Sequence, residues 1–255
     1  MKININWKLF FLLLILSIVT ILLVLPYSLA LTGKQNELTP VLLLLSVAQN
    51  LVLFAVAIFF GLILSSKIGM GSPILEGLLA KTNQTEKLKS ILAPSIGLGV
   101  LGGILIILLS LPFQSLSIEM LEAEKAVATW KAFLASFYGG IGEEIMFRLF
   151  VVSLLVWITF KIKKTKEGRP TNFGIWLSII LTAVLFGLGH LGITSELTAI
   201  TATVIVRAVL LNGVVAVMYG WLYWKKGLEA AMIAHFSTDI VIHVITPLVV
   251  SFFGA

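Results

Sequence analysis

The decapeptide Gly139-Gly140-Ile141-Gly142-Glu143-Glu144-Ile145-Met146-Phe147-Arg148 puts two carboxylates and a guanidinium into a stretch that otherwise reads as membrane, and it runs on into the apolar segment Leu149 to Phe160. A charge near the centre of a bilayer costs at least about 2.5–3.5 kcal/mol, so such groups need internal partners and mark chemistry or a transport path. On a helix Glu144 and Arg148 lie four apart on nearly one face, in the favourable Glu-before-Arg order for an ion pair. Glu143 points about 100° away from Glu144. The simplest division of labour has Glu144 and Arg148 neutralise each other while Glu143 stays free to act.

Two further apolar stretches carry polar residues at the same spacing. Phe186-Gly187-Leu188-Gly189-His190 puts Phe186 and His190 on one face, and Gly187 and Gly189 let a neighbouring helix or substrate approach closely. His235-Phe236-Ser237-Thr238-Asp239 pairs an imidazole with the only aspartate of the chain, and His243 lies two turns beyond His235. All three histidines thus fall in apolar runs. A carboxylate near two imidazoles activates a water, either directly as general base or by holding a divalent metal. A glutamate with two histidines is a zinc ligand set, with water in the fourth position. No metal or other cofactor is firmly implied. With no cysteine in the chain, thiol nucleophiles and thiolate metal sites are excluded. There is no HExxH helix and no defensible Ser-His-Asp order. Gln49, Asn50 and Asn212 read as hydrogen-bond glue between helices, and Arg207 must pair or snorkel.

The elements that position these residues are membrane helices. The chain has 255 residues, 59% hydrophobic and 12% charged, with mean hydropathy +1.08; soluble domains carry roughly 25% charged residues. Runs of this length in lipid mean helices, because every backbone polar group must be satisfied internally. The expected fold is an all-α, polytopic membrane helix bundle of about seven transmembrane helices. The spans are Lys8–Leu31, Pro40–Ser66, Ile91–Phe113, Ala126–Phe160, Phe173–Gly192, Thr198–Trp224 and Leu228–Phe253. The fourth is too long for one straight crossing and should break near Gly139-Gly140. Ile74 to Leu79 reads as a short interfacial helix. Ser28-Leu29-Ala30 resembles a small-residue cleavage site, but the run Leu9–Leu25 exceeds the usual signal core of about 7–15 residues and is expected to remain as the first span.

Charge alternates between loops. Lys2, Lys8, Lys67, Lys81, Lys87, Lys89, Lys161, Lys163, Lys164, Lys166, Arg169, Lys225 and Lys226 fall on one side, and Glu119, Glu122, Glu124 and Glu196 on the other. The positive-inside rule then gives an N-in/C-out topology. The net charge of +6 lies largely in these loops, so it orients the protein and implies no nucleic-acid partner. The expected partner is the lipid bilayer, in a multi-pass protein of the cell membrane; nothing sets the number of chains in an assembly. No internal repeat suggests the symmetric halves of a transporter. One tension remains. At 1.5 Å per residue Glu143 stands about 25 Å above Phe160, but His235 stands only about 12 Å above Gly227. By depth His243 matches His190 better.

The ordered set Glu143-Glu144-x-x-x-Arg148, Phe186-x-x-x-His190 and His235-x-x-x-Asp239 resembles the CAAX-protease and bacteriocin-processing (Abi) family of intramembrane proteases. The resemblance spans roughly Phe133 to Ile242 and includes Tyr219-Gly220-Trp221-Leu222-Tyr223. It implies N-terminal helices over residues 1–125 that frame the site and a catalytic helical core over 126–255. It implies a bacterial cytoplasmic-membrane endopeptidase that acts on membrane-associated, prenylated or leader-peptide substrates. By matching position Glu143 is the base on a water, Glu144 and Arg148 support it, and His190 and His235 orient the water and stabilise the oxyanion. The last motif position is often Asn in the family. Here Asp239 accepts but does not donate unless protonated. Two rival readings use the same charges: a non-catalytic immunity or scaffold protein, which an intact polar set argues against, and a proton-coupled transporter, which the lack of repeats argues against.

Overall fold

The computed structural model describes residues 5–116, 123 and 126–253; Lys2, Glu119, Glu122 and Glu124 lie outside the described residues. Helix α1 spans Trp7–Thr32 and α2 Pro40–Ile68. The short α3 spans Pro73–Leu79 and α4 Thr85–Ser110. Helix α5 runs Thr129–Ile162, α6 Asn172–Gly189, α7 Leu191–Ser195 and α8 Ala202–Lys226. Helix α9 starts as Leu228–Asp239 and continues through Ile240–Ile245 and Thr246–Phe253. Among the described residues seven helices are long and apolar enough to cross a membrane. The protein is an all-helical, multi-pass membrane protein.

Local chemistry sets the helix ends. Side-chain oxygens of Asn6, Thr39, Thr171 and Thr201 accept from the first-turn amides of α1, α2, α6 and α8, each satisfying a donor that the helix leaves orphaned. Pro40 at the first position of α2 lacks the N–H that would be orphaned there. Gly33 and Gly69 close α1 and α2 in the left-handed conformation.

The fourth span does not break at Gly139-Gly140. Its α-helical start, Thr129–Phe137, passes into π-helical turns over Tyr138–Glu143 and Ile145–Val152, and the α-helix resumes at Ser153–Ile162. Lipid offers no water to an opened backbone, so the chain keeps its hydrogen bonds and shifts them to the wider i→i+5 pattern. Such turns are frequent at functional sites. Here they carry Glu143, Glu144 and Arg148.

Despite the depth count, Glu143 Oε2 and His235 Nε2 lie 3.8 Å apart, and the start of α9 is covered by other elements. Leu228, Glu229, Ala230 and Ala231 are all buried. The Leu228 amide donates to the Gly71 carbonyl at 2.9 Å, and the Glu229 carboxylate accepts from the amides of Ile74 and Leu75 at 3.0 and 2.8 Å. Helix α3 and the loop before it therefore cover the beginning of α9. Helix α9 also packs closely on α4: Thr238 Oγ1 donates to the Gly99 carbonyl at 2.8 Å, and a methyl at Gly99 would lie 2.6 Å from Ser237 Cβ. The two asparagines expected to link helices bond within their own: Asn50 Nδ2 donates to the Ser46 carbonyl and Asn212 Nδ2 to that of Ala208.

Candidate active site

Arg148 is among the largest fully buried side chains, and Glu144 beside it is equally buried. Glu144 Oε1 lies 2.9 Å from Arg148 Nη1, which is the i, i+4 pair expected from sequence. Arg148 Nη2 donates to the Ala216 carbonyl of α8 at 3.1 Å. The guanidinium sits between two ring faces, 4.8 Å from the centre of Phe186 and 5.1 Å from that of Tyr219. Cation–π attraction of this kind strengthens when the cation is desolvated. The π-turn, α6 and α8 are thus tied together through one side chain.

Glu144 has a second partner. His235 Nδ1 lies 2.7 Å from the same Oε1. A buried carboxylate in an ion pair with Arg148 is an acceptor, so Nδ1 carries the proton and donates. In the neutral ring this leaves the Nε2 lone pair free. Nε2 faces Glu143 Oε2 at 3.8 Å and Asp239 Oδ1 at 3.6 Å. Both gaps exceed a direct hydrogen bond. The side chains of Glu143 and Asp239 retain 20% and 14% exposure, against 0% for Glu144. The two adjacent glutamates therefore divide as expected: one is locked, and the other is accessible and faces an imidazole nitrogen.

Gly139 makes room for this cluster. A Cβ there would run into Asp239 Oδ2 and come within 3.1 Å of His235 Nε2. A Cβ at Gly189 would meet only Phe147 Cζ, at 3.5 Å. Small displacements of catalytic groups cost up to about 10²-fold in rate. Gly139→Ala is accordingly expected to lower kcat by about that factor in a peptide-cleavage assay, while Gly189→Ala stays near wild type. Equal activity of the two variants would contradict the placement of Asp239. Gly187, by contrast, serves helix packing, since its Cβ would lie 2.6 Å from Val209 Cα of α8.

His190 joins the site through Phe186. Its Nδ1 donates to the Phe186 carbonyl at 2.8 Å, and its ring meets that of Phe186 edge-on at 4.7 Å. The carbonyl can only accept, so in the neutral ring Nε2 of His190 is the unprotonated nitrogen. The Phe186 ring also meets His235, at 5.7 Å, and Phe147, at 4.9 Å. Phe186 is therefore a spacer that sets His190, His235 and Arg148 around one aromatic wall. His243 sits one side away, against Tyr27 of α1 at 6.0 Å. Alanine at His243 is expected to leave most activity, and alanine at His235 to remove it. Loss confined to the His243 variant would overturn that ranking.

Sequence reasoning missed the role of Tyr219. Its ring stacks on His235 with centroids 4.6 Å apart and planes 19° from parallel, and the Arg148 guanidinium lies 5.1 Å from its centre. Among the described residues no group of three or more His, Asp or Glu side chains is arranged to hold a metal ion. Glu143, His190 and His235 as they stand do not form the three-ligand set that zinc would need.

Together these features define a class: a multi-pass helical membrane protein with a buried carboxylate–imidazole centre carried on a π-turn. Residues 125–241 match the family model for the type II CAAX prenyl endopeptidase Rce1-like proteins. Over that part, somewhat under half of the chain, the sequence is similar to the CAAX-type prenyl endopeptidases that its motifs resemble. No curated protein and no solved structure gives a significant match.

Proposed function

We propose that this protein is an intramembrane endopeptidase in which Glu143 activates a water for attack on a peptide carbonyl. The observation that carries the reading is the hold of Glu144 on His235 Nδ1, which aims Nε2 at the space shared with Glu143 and Asp239. A water there has the Glu143 carboxylate as proton acceptor and His235 Nε2 as a second polar partner. In the reaction Glu143 takes a proton from the water as its oxygen bonds to the carbonyl carbon. The carbonyl π pair moves to oxygen. On collapse the C–N bond breaks, the amine nitrogen takes the proton from Glu143, and a new carboxyl terminus is left. His190 stands by Phe186 to bind the carbonyl side of the substrate. Substrates of this reading are membrane-associated, prenylated or leader peptides. By the positive-inside rule the Lys-rich loops favour an N-in/C-out topology for this reading.

Protein purified without chelator and then dialysed against a strong chelator is expected to retain its activity. Near-stoichiometric zinc lost together with activity would instead make Glu143, His190 and His235 ligands. The function itself is tested by comparative mass spectrometry of membrane peptides from cells carrying wild type or Glu143→Ala. Fragments present only with wild type support a protease and give the substrate. Identical peptide sets at equal expression would refute it.

A further inference from the structure

At the end of the bundle where the lysines gather, a cavity of about 430 Å³ lies between the α2–α3 loop, the first turn of α4 and the last turn of α8. Lys87, Lys225 and Lys226 line it together with Trp224 and Ser72. None of the three lysines has a carboxylate partner among the described residues. Lys225 Nζ lies 3.4 Å from the centre of the Trp224 ring. Ser72 is fully buried, and its hydroxyl has no hydrogen-bond partner among the described residues. Glu76, the one carboxylate on the lining, approaches the Ser72 amide with Oε1 at 3.4 Å.

Two ordinary causes account for part of this. Lysines in the last turn of α8 complement the helix dipole, and Lys-rich loops orient membrane proteins. Neither explains why lysines from two helices surround a cavity with an orphaned, buried hydroxyl. Burying such a group without a partner is costly. The volume is within the range of small-molecule pockets. Its depth is that of the helix ends: α2 finishes at Ile68, α4 begins at Thr85 and α8 finishes at Lys226. Basic pockets between membrane helices at that level suit phosphate-bearing headgroups.

We propose that this cavity binds the phosphate-bearing headgroup of an anionic phospholipid, with Lys87, Lys225 and Lys226 neutralising the phosphate and Ser72 Oγ donating to it. The floor of the cavity includes Gly71, whose carbonyl receives the first amide of α9. A bound headgroup therefore braces the segment from which the helix carrying His235 and Asp239 starts. The site is separate from the carboxylate–imidazole centre and stands whether or not the catalytic reading does.

Native mass spectrometry of the full-length protein in mild detergent, loaded with phosphatidylglycerol or phosphatidylcholine, tests this. One phosphatidylglycerol per chain is expected to be retained in preference to phosphatidylcholine. The triple variant Lys87→Gln, Lys225→Gln, Lys226→Gln is expected to weaken retention by on the order of tenfold or more. Ser72→Val, which changes no charge, should also weaken it and serves if the triple variant does not fold. The control Lys161→Gln, Lys163→Gln, Lys164→Gln, at the same end but off the cavity, should retain lipid like wild type. Displacement by excess inorganic phosphate would show that the site reads phosphate from either source, and retention against it that the lipid is the ligand. Equal retention of both lipids, retention that survives the cavity variants, or equal loss in the control would overturn the proposal.

Discussion

Arg148→Ala is expected to destabilise the protein by about 3–5 kcal/mol, the usual cost of stranding one partner of a buried ion pair. The change removes the Nη1 contact to Glu144 and the Nη2 bond to the Ala216 carbonyl. It leaves Glu144 charged with only His235 to answer it, and it empties the space between Phe186 and Tyr219. Activity should fall with stability, because the carboxylate that holds His235 loses its anchor. The double variant Glu144→Gln with Arg148→Met removes both charges and refills the space between the rings. Replacing a buried pair by neutral groups of similar volume is often nearly neutral, and the amide oxygen of glutamine still accepts from His235 Nδ1. Part of the stability should therefore return. Thermal unfolding in detergent, followed by intrinsic fluorescence, distinguishes the cases. A single variant as stable as wild type would show that the pair does not hold the bundle.

Much of the architecture was legible because lipid admits few solutions. Apolar runs of about 20 residues located the seven spans, and the proline and glycines after Ile68 marked the short helix that the structure has at Pro73–Leu79. The Glu144–Arg148 pair followed from i, i+4 spacing alone. The Glu144–His235 bond did not, because it joins residues 91 positions apart. Counting rise from the end of each span placed Glu143 and His235 at different heights, since a count along single helices does not see how neighbouring helices are shifted against one another. The π-turn was equally hidden. Three glycines in six residues read as a break, but a helix in lipid keeps its ladder and widens it. Asn50 and Asn212 show the converse error. A mid-span amide can satisfy itself on its own helix, so its type does not reveal a neighbour.

Glu143→Gln is expected to lower kcat on the order of 10²–10⁴-fold, the range for losing a general base, with folding preserved. Among the described residues Glu143 makes no direct side-chain hydrogen bond that ties the helices, and its side chain keeps 20% exposure, so the amide replaces it without stranding a charge. Its neighbour differs: Glu144→Gln touches both Arg148 and His235 and should disturb stability and activity together. The decisive measurement is cleavage of prenylated and unprenylated membrane peptides by purified wild type and Glu143→Gln, both shown to unfold at the same temperature. Cleavage by wild type, with none detectable for Glu143→Gln, is the predicted result; equal cleavage rates for the two proteins would contradict the assignment of Glu143 as the base.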